Sequence, residues 1–177
     1  MRNFARFSTK KKPALLIIFL LIMQAVFGAG VFPEKSSLPL PGNCLIVLTT
    51  MNNDYRYITK DWQDSFQLVV ENKGSTVETI GLKVRNNNVN CKNPDGSSNT
   101  GNVELDLRLE DAVTGQAMGS LTLQPGEKYS FNLRVKVTQQ EALKVWSCAE
   151  VTATPVDCPA SAVTIKLYSF VDSPDAE

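Results

Sequence analysis

The chain has 177 residues, with 18 basic and 18 acidic side chains, four cysteines and no histidine. The missing histidine excludes Ser-His-Asp and Cys-His catalysis, histidine metal sites and the usual switch near neutral pH. The formal charge of zero conceals a split, because residues 1–33 hold five bases and no acid, leaving 13 bases against 18 acids, a net −5, in residues 34–177.

At the N-terminus, Arg2, Arg6, Lys10, Lys11 and Lys12 precede an uncharged run from Ala14 to Phe32. A basic lead before an apolar run is an export signal, so the rest of the chain is expected outside the cytoplasm, secreted or periplasmic, or at a cell surface. The run is nineteen residues long. A cleaved signal has roughly 7–15 apolar residues and a spanning helix roughly 17–25, so the run falls between the two classes. The small residues of Val26-Phe27-Gly28-Ala29-Gly30 offer cleavage after Gly28 or after Gly30. If the segment is uncleaved, it anchors a C-terminal domain outside and supplies the expected membrane contact. Residues 1–33 are therefore read as signal peptide or anchor. Residues 34–43, with Pro39 and Pro41, are read as an extended linker.

From residue 44 onward, apolar side chains recur with period two, the mark of strands with one buried face. LIVLTT from Leu45, SFQLVVE from Ser65 and TIGLKV from Thr79 come first, with Asn72-Lys73-Gly74 turning the chain between the last two. A polar stretch of seventeen residues, Asn86 to Asn102, follows. Loops longer than roughly 12–15 residues are often functional, and two readings stand for this one. It is a recognition loop carried by Asn93, Asp95, Gly96 and Asn99, or a solvated connection tied down by Cys91. Its single acid, Asp95, does not make a calcium loop.

VELDLRLE places Val103, Leu105, Leu107 and Leu109 on one face and Glu104, Asp106, Arg108 and Glu110 on the other. After turns at Asp111–Gly115 and Gln124-Pro125-Gly126, YSFNLRVKV turns Phe131, Leu133, Val135 and Val137 inward. Gln139 to Leu143 forms one helical turn at most. VWSCAEVTA from Val145 and AVTIKLYSF from Ala162 complete seven strands, and residues 173–177 are a tail. Seven short strands without helices to cover a parallel sheet imply an all-β fold, an antiparallel β-sandwich over residues 44–172.

Glu104, Asp106, Glu110 and Asp111 invite comparison with a glycosidase carboxylate pair, but strand alternation assigns the first three to a solvated face. No G-x-S-x-G elbow is present either. The chain is therefore read as a non-enzyme that needs no cofactor or metal. With no basic or aromatic-basic patch, nucleic acid is not expected as a partner. Trp62 and Trp146 are read as packing residues, Trp146 close to Cys148. Cys44, Cys91, Cys148 and Cys158 all follow the leader, lack Cys-x-x-Cys spacing, and read as two disulfides.

FQLVVENKGSTVETIGLKV, LTLQPGEKYSFNLRVKV and CAEVTATP resemble exported prokaryotic Ig-like modules of the cell-adhesion-related bacterial and surface-layer-repeat kinds. The resemblance runs from Ser65 to Thr154 and rests on Asn-x-Gly and Leu-x-Pro-Gly turns between aliphatic strands. It implies an Ig-like sandwich acting in protein or cell-surface binding or in structural assembly, and it carries over no site residue. An anchored accessory subunit of a larger membrane complex is the second reading. If the strands follow Ig-like order, Cys44 and Cys158 lie at one end and Cys91 and Cys148 toward the other. That order favours the bridges Cys44–Cys158 and Cys91–Cys148. Cys148–Cys158 with Cys44–Cys91 is the alternative if the sixth strand is short and the final hairpin tight.

Overall fold

The computed structural model describes residues 44–58, 63–138 and 143–172. The expected leader and linker, Trp62, most of the Gln139–Leu143 turn and the tail lie outside them. The described residues form an all-β structure of nine strands and three single 3-10 turns. The strands are β1 (Ile46–Thr50), β2 (Tyr55–Ile58), β3 (Gln63–Asn72), β4 (Glu78–Asn86), β5 (Asp106–Asp111), β6 (Ser120–Leu123), β7 (Lys128–Lys136), β8 (Val145–Pro155) and β9 (Val163–Val171). One sheet has the order β1-β3-β7-β5 and the other β2-β9-β8-β4-β6. All pairings are antiparallel except β2 with β9, which is parallel.

The two inner faces follow from period-two side-chain alternation. Leu68 stands opposite Phe131 and Phe66 opposite Leu133 in the first sheet, while Val84 faces Val151 and Leu82 faces Ala153 in the second. All of these but Val84, which is partly buried and packs against them, join Val70, Val135, Ile80 and Leu167 in one continuous apolar core. Stacking two sheets is what removes this apolar stripe from water, since neither sheet covers its own face.

The sequence pattern leads to seven strands; β2 and β6 are additional. β6 has only four residues, too short to show a period. β2 inverts the expected pattern: Tyr55 and Tyr57 point outward and are exposed, while Arg56 turns inward, its guanidinium 5.7 Å from the Phe66 ring centroid. The fourth predicted run also shortens, because β5 starts at Asp106 rather than Val103. Side chains take the place of a ladder there: Asn86 both donates to the Leu105 carbonyl (3.0 Å) and accepts from its N–H (3.1 Å). Asn88 donates to the Val103 carbonyl at 2.9 Å.

Glu110 corrects the reading of a wholly solvated acidic face. It lies on the outer face opposite Asn132, yet it is only 9% exposed. Arg108 Nε at 3.3 Å and Arg134 Nη1 at 3.9 Å share its Oε1, and their long stems cover it. Asp111, at the end of β5, accepts the Tyr129 hydroxyl and two N–H groups of its own turn, from Val113 and Thr114. These bonds, the Tyr129 bond foremost, hold its carboxyl well below the usual range, and Asp111 pushes the Tyr129 hydroxyl up in return.

Candidate functional site

The cysteines form two bridges. Cys44 joins Cys158 with Cα atoms 6.2 Å apart, and Cys91 joins Cys148 at 6.4 Å. Cys148 lies near the start of β8 and Cys158 just beyond its end, so the length of β8 separates the bridges. Two disulfides mark an oxidising, extracytoplasmic setting. Among the described residues no helix is long and apolar enough to cross a membrane, and no group of His, Cys, Asp or Glu could hold a metal ion.

The Asn-rich loop is a tightly bonded cap on β8. Asn93 is only 5% exposed; it donates to Ser97 Oγ, to the Ser98 carbonyl and to Asn102, whose own amide donates back at 2.8 Å. Asn99 donates to the carbonyls of Asn88, Val89 and Cys91 at 2.9–3.1 Å. Asn88 accepts the Cys148 N–H at 2.8 Å. Gly96 has φ of +78°, which closes the Asn93–Gly96 turn without the steric cost a side chain would bring. The amides of Asn93 and Asn99 are thus spent inside the loop. Asp95 and Gly96 stay exposed beside a shallow hollow of about 550 Å³ that includes Val89, Lys92 and Ser97.

Asp95 joins the loop to an aromatic stripe. Its Oδ2 accepts the Trp146 indole N–H at 2.9 Å and its Oδ1 the Ser97 N–H at 2.9 Å. The bonds from Ser97 and Trp146 lower its carboxyl below the ordinary value. Trp146 packs on Phe170 at 5.0 Å between centroids, Phe170 on Tyr57 at 5.8 Å, and Tyr57 on Tyr55 at 6.0 Å. The stripe therefore crosses the outer face of β8, β9 and β2, ending at the sheet edge, where Tyr57 is 57% and Tyr55 39% exposed. Beside Tyr55 stands its register partner Tyr168, whose hydroxyl is raised by burial and by the charge of Asp54.

The same two tyrosines define the open edge. Tyr168 donates its N–H to the Asp54 carbonyl at 2.7 Å, and Asp172 donates to the Ile58 carbonyl at 3.0 Å. Successive strand residues aim their backbone groups at opposite edges, so Tyr55 and Tyr57 turn N–H and C=O away from β9. Among the described residues no strand pairs with that side of β2. Sequence reasoning missed this site because Tyr55-Arg56-Tyr57-Ile58 lacks an inward apolar alternation. A Tyr-x-Tyr pair directly after Asn52-Asn53-Asp54 was the available signal.

No protein-family model and no curated protein matches the chain. Solved structures do. A family 123 glycoside hydrolase from Clostridium perfringens aligns at 9% identity and TM-score 0.49, over 73% of this chain and 28% of the hydrolase. A FixG-related protein from Vibrio parahaemolyticus aligns at 12% identity and TM-score 0.40, over 73% of this chain and 94% of that one. The periplasmic chaperone SfaE aligns at 13% identity and TM-score 0.39, over 73% and 57%. The chain thus spans 28% of the hydrolase's length. The reading of the chain as a non-enzyme is corrected by this comparison, which sets a glycoside hydrolase among its structural neighbours. At these identities no neighbour's functional residue maps onto this chain.

Proposed function

We propose that the chain is an extracytoplasmic Ig-like binding or assembly module that takes a strand of a protein partner onto the open edge of β2. The observation that carries this reading is the coincidence at Tyr55 and Tyr57 of outward backbone groups and exposed aromatic side chains. An unpaired edge supplies N–H and C=O groups to an incoming strand, and the rings supply apolar area beside it. The cap of Asn93, Asp95, Gly96 and Asn99 supports the far end of the stripe through Trp146 and forms the rim of the interface. The leader exports the domain and either is removed or tethers it as part of a membrane complex; an intact mass of the mature protein separates the two.

Proline at position 57 tests the reading. No β9 carbonyl uses the Tyr57 N–H, so Tyr57→Pro spares the native ladder while blocking an added strand. A photo-crosslinking residue at position 55 is expected to trap the partner in the producing cell, and Tyr57→Pro to abolish the product while Tyr57→Thr only weakens it. An undiminished crosslink in Tyr57→Pro refutes strand addition.

A further inference from the structure

The chemistry around β2 specifies the kind of strand that fits. Tyr55 and Tyr57 meet at an interplanar angle of 87° and Tyr57 and Phe170 at 71°. Rings set edge to face offer no common plane for a sugar to stack on. Tyr57 is nonetheless 57% exposed, and the face of an aromatic ring carries the negative part of its quadrupole. Acids flank the stripe at both ends: Asp54 directly precedes Tyr55 and acts on Tyr168, and Asp95 holds the Trp146 edge. Lys166, which shares the outer face, is drawn off toward the loop, where its Nζ donates to the Asn90 carbonyl at 2.7 Å. Residues 34–177 also carry the net −5 noted above, so the wider field has the same sign.

We infer that the partner strand is cationic on the face it shares with the stripe, placing arginine or lysine side chains over the rings of Tyr57 and Tyr55 with Asp95 and Asp54 as counter-charges. This rests on the strand-addition reading above. A side chain of an added strand on that face lies beside Tyr57, within reach of its ring, as cross-strand neighbours do. Arginine fits this position best, because its planar guanidinium stacks on an aromatic face and still presents N–H groups to a carboxylate.

The test uses the oxidised full chain in detergent and synthetic peptides that alternate threonine or valine with arginine, glutamine or glutamate, read by fluorescence anisotropy. The arginine peptide is expected to bind best and the glutamate peptide least. Tyr57→Leu keeps apolar area but removes the ring; it should weaken the arginine peptide about 5-fold and the glutamine peptide by a clearly smaller factor. Asp95→Asn retains an acceptor for Trp146 and removes the charge; it should weaken the arginine peptide and flatten its salt dependence. Unchanged urea midpoints for both variants show that the fold is intact. Equal binding of arginine and glutamine peptides overturns the cationic inference and leaves strand addition standing. Undiminished binding of a backbone N-methylated arginine peptide overturns strand addition itself. Arginine-peptide affinity that survives both substitutions reduces the effect to bulk charge and overturns the site. Capture of a neutral oligosaccharide that Tyr57→Leu abolishes replaces the peptide with a glycan and overturns it as well.

Discussion

Replacing Cys91 and Cys148 together by alanine should cost about as much stability as a small domain can lose, and should open one loop alone. The bridge closes a sequence separation of 57 residues, nested inside the 114 residues closed by Cys44–Cys158. Freeing a loop of that length returns chain entropy to the unfolded state worth about 4 kcal/mol. With a urea m-value of about 2 kcal/mol/M, the midpoint of C91A/C148A should fall by about 2 M, the slope rising as the unfolded chain expands. The local effect separates the two bridges more sharply than the global one. Cys91 is the covalent tie of the Asn-rich cap, and Lys92 beside it is exposed. Trypsin should therefore cut after Lys92 far faster in C91A/C148A than in C44A/C158A at matched denaturant distance from the midpoint. A loss below about 1 kcal/mol would defeat the entropy argument. Equal cutting at Lys92 in both variants would defeat the pinning argument.

Further predictions concern the core, a polar turn, acid and one strained residue. Phe131→Ala empties a fully buried site between the sheets and should cost about 4 kcal/mol in urea unfolding; a loss under about 1.5 kcal/mol would mean that the core collapses to fill it. Asn72 is buried at the end of β3, where it donates to the Thr76 and Leu123 carbonyls and accepts the Gly74 N–H. Asn72→Ala should lose about 3 kcal/mol by leaving those groups unpaired, and a value near zero would refute the accounting. Asp95 and Asp111 have carboxyls lowered in the fold, so their stabilisation is complete above the ordinary carboxylate value of 3.8 and disappears as pH falls toward their folded values. Acid unfolding monitored by tryptophan fluorescence should begin below pH 3.8, and Asp95→Asn should flatten that onset. Lys144 has φ of +56°, so Lys144→Gly should be neutral or stabilising by up to about 1 kcal/mol; a clear loss would assign the lysine side chain a role of its own.

The sandwich was legible where one face of a strand carries all the apolar weight. Phe131, Leu133 and Val135 on β7 and Val151 and Leu167 on the opposing sheet are of this kind, and all are fully buried. β2 escaped because Arg56 shares its inward face with Ile58, the guanidinium lying over the Phe66 ring, while its aromatics face out. No local pattern encodes such an exchange; it depends on which residues the other sheet brings opposite. Glu110 shows the same limit in part, since Arg108 of its own strand is joined in shielding it by Arg134, a diagonal neighbour across the ladder. The cap was visible as an asparagine-rich stretch, but its rigidity was not. Asp95 meets Trp146 across 51 residues, and Asn88 meets the Cys148 N–H across 60. Contacts of that span become readable only once the chain's path is known.

The Cys44–Cys158 bridge has a mechanical consequence. Tension applied between a point upstream of Cys44 and one downstream of Asp172 would enter at Cys44, cross the sulfur link and leave through β9. Only the short run from Pro159 to Asp172 could then lengthen under load, while everything between the linked cysteines stays slack. A tether so arranged yields little when pulled, and its aromatic edge keeps its shape until β9 itself is stripped from β8.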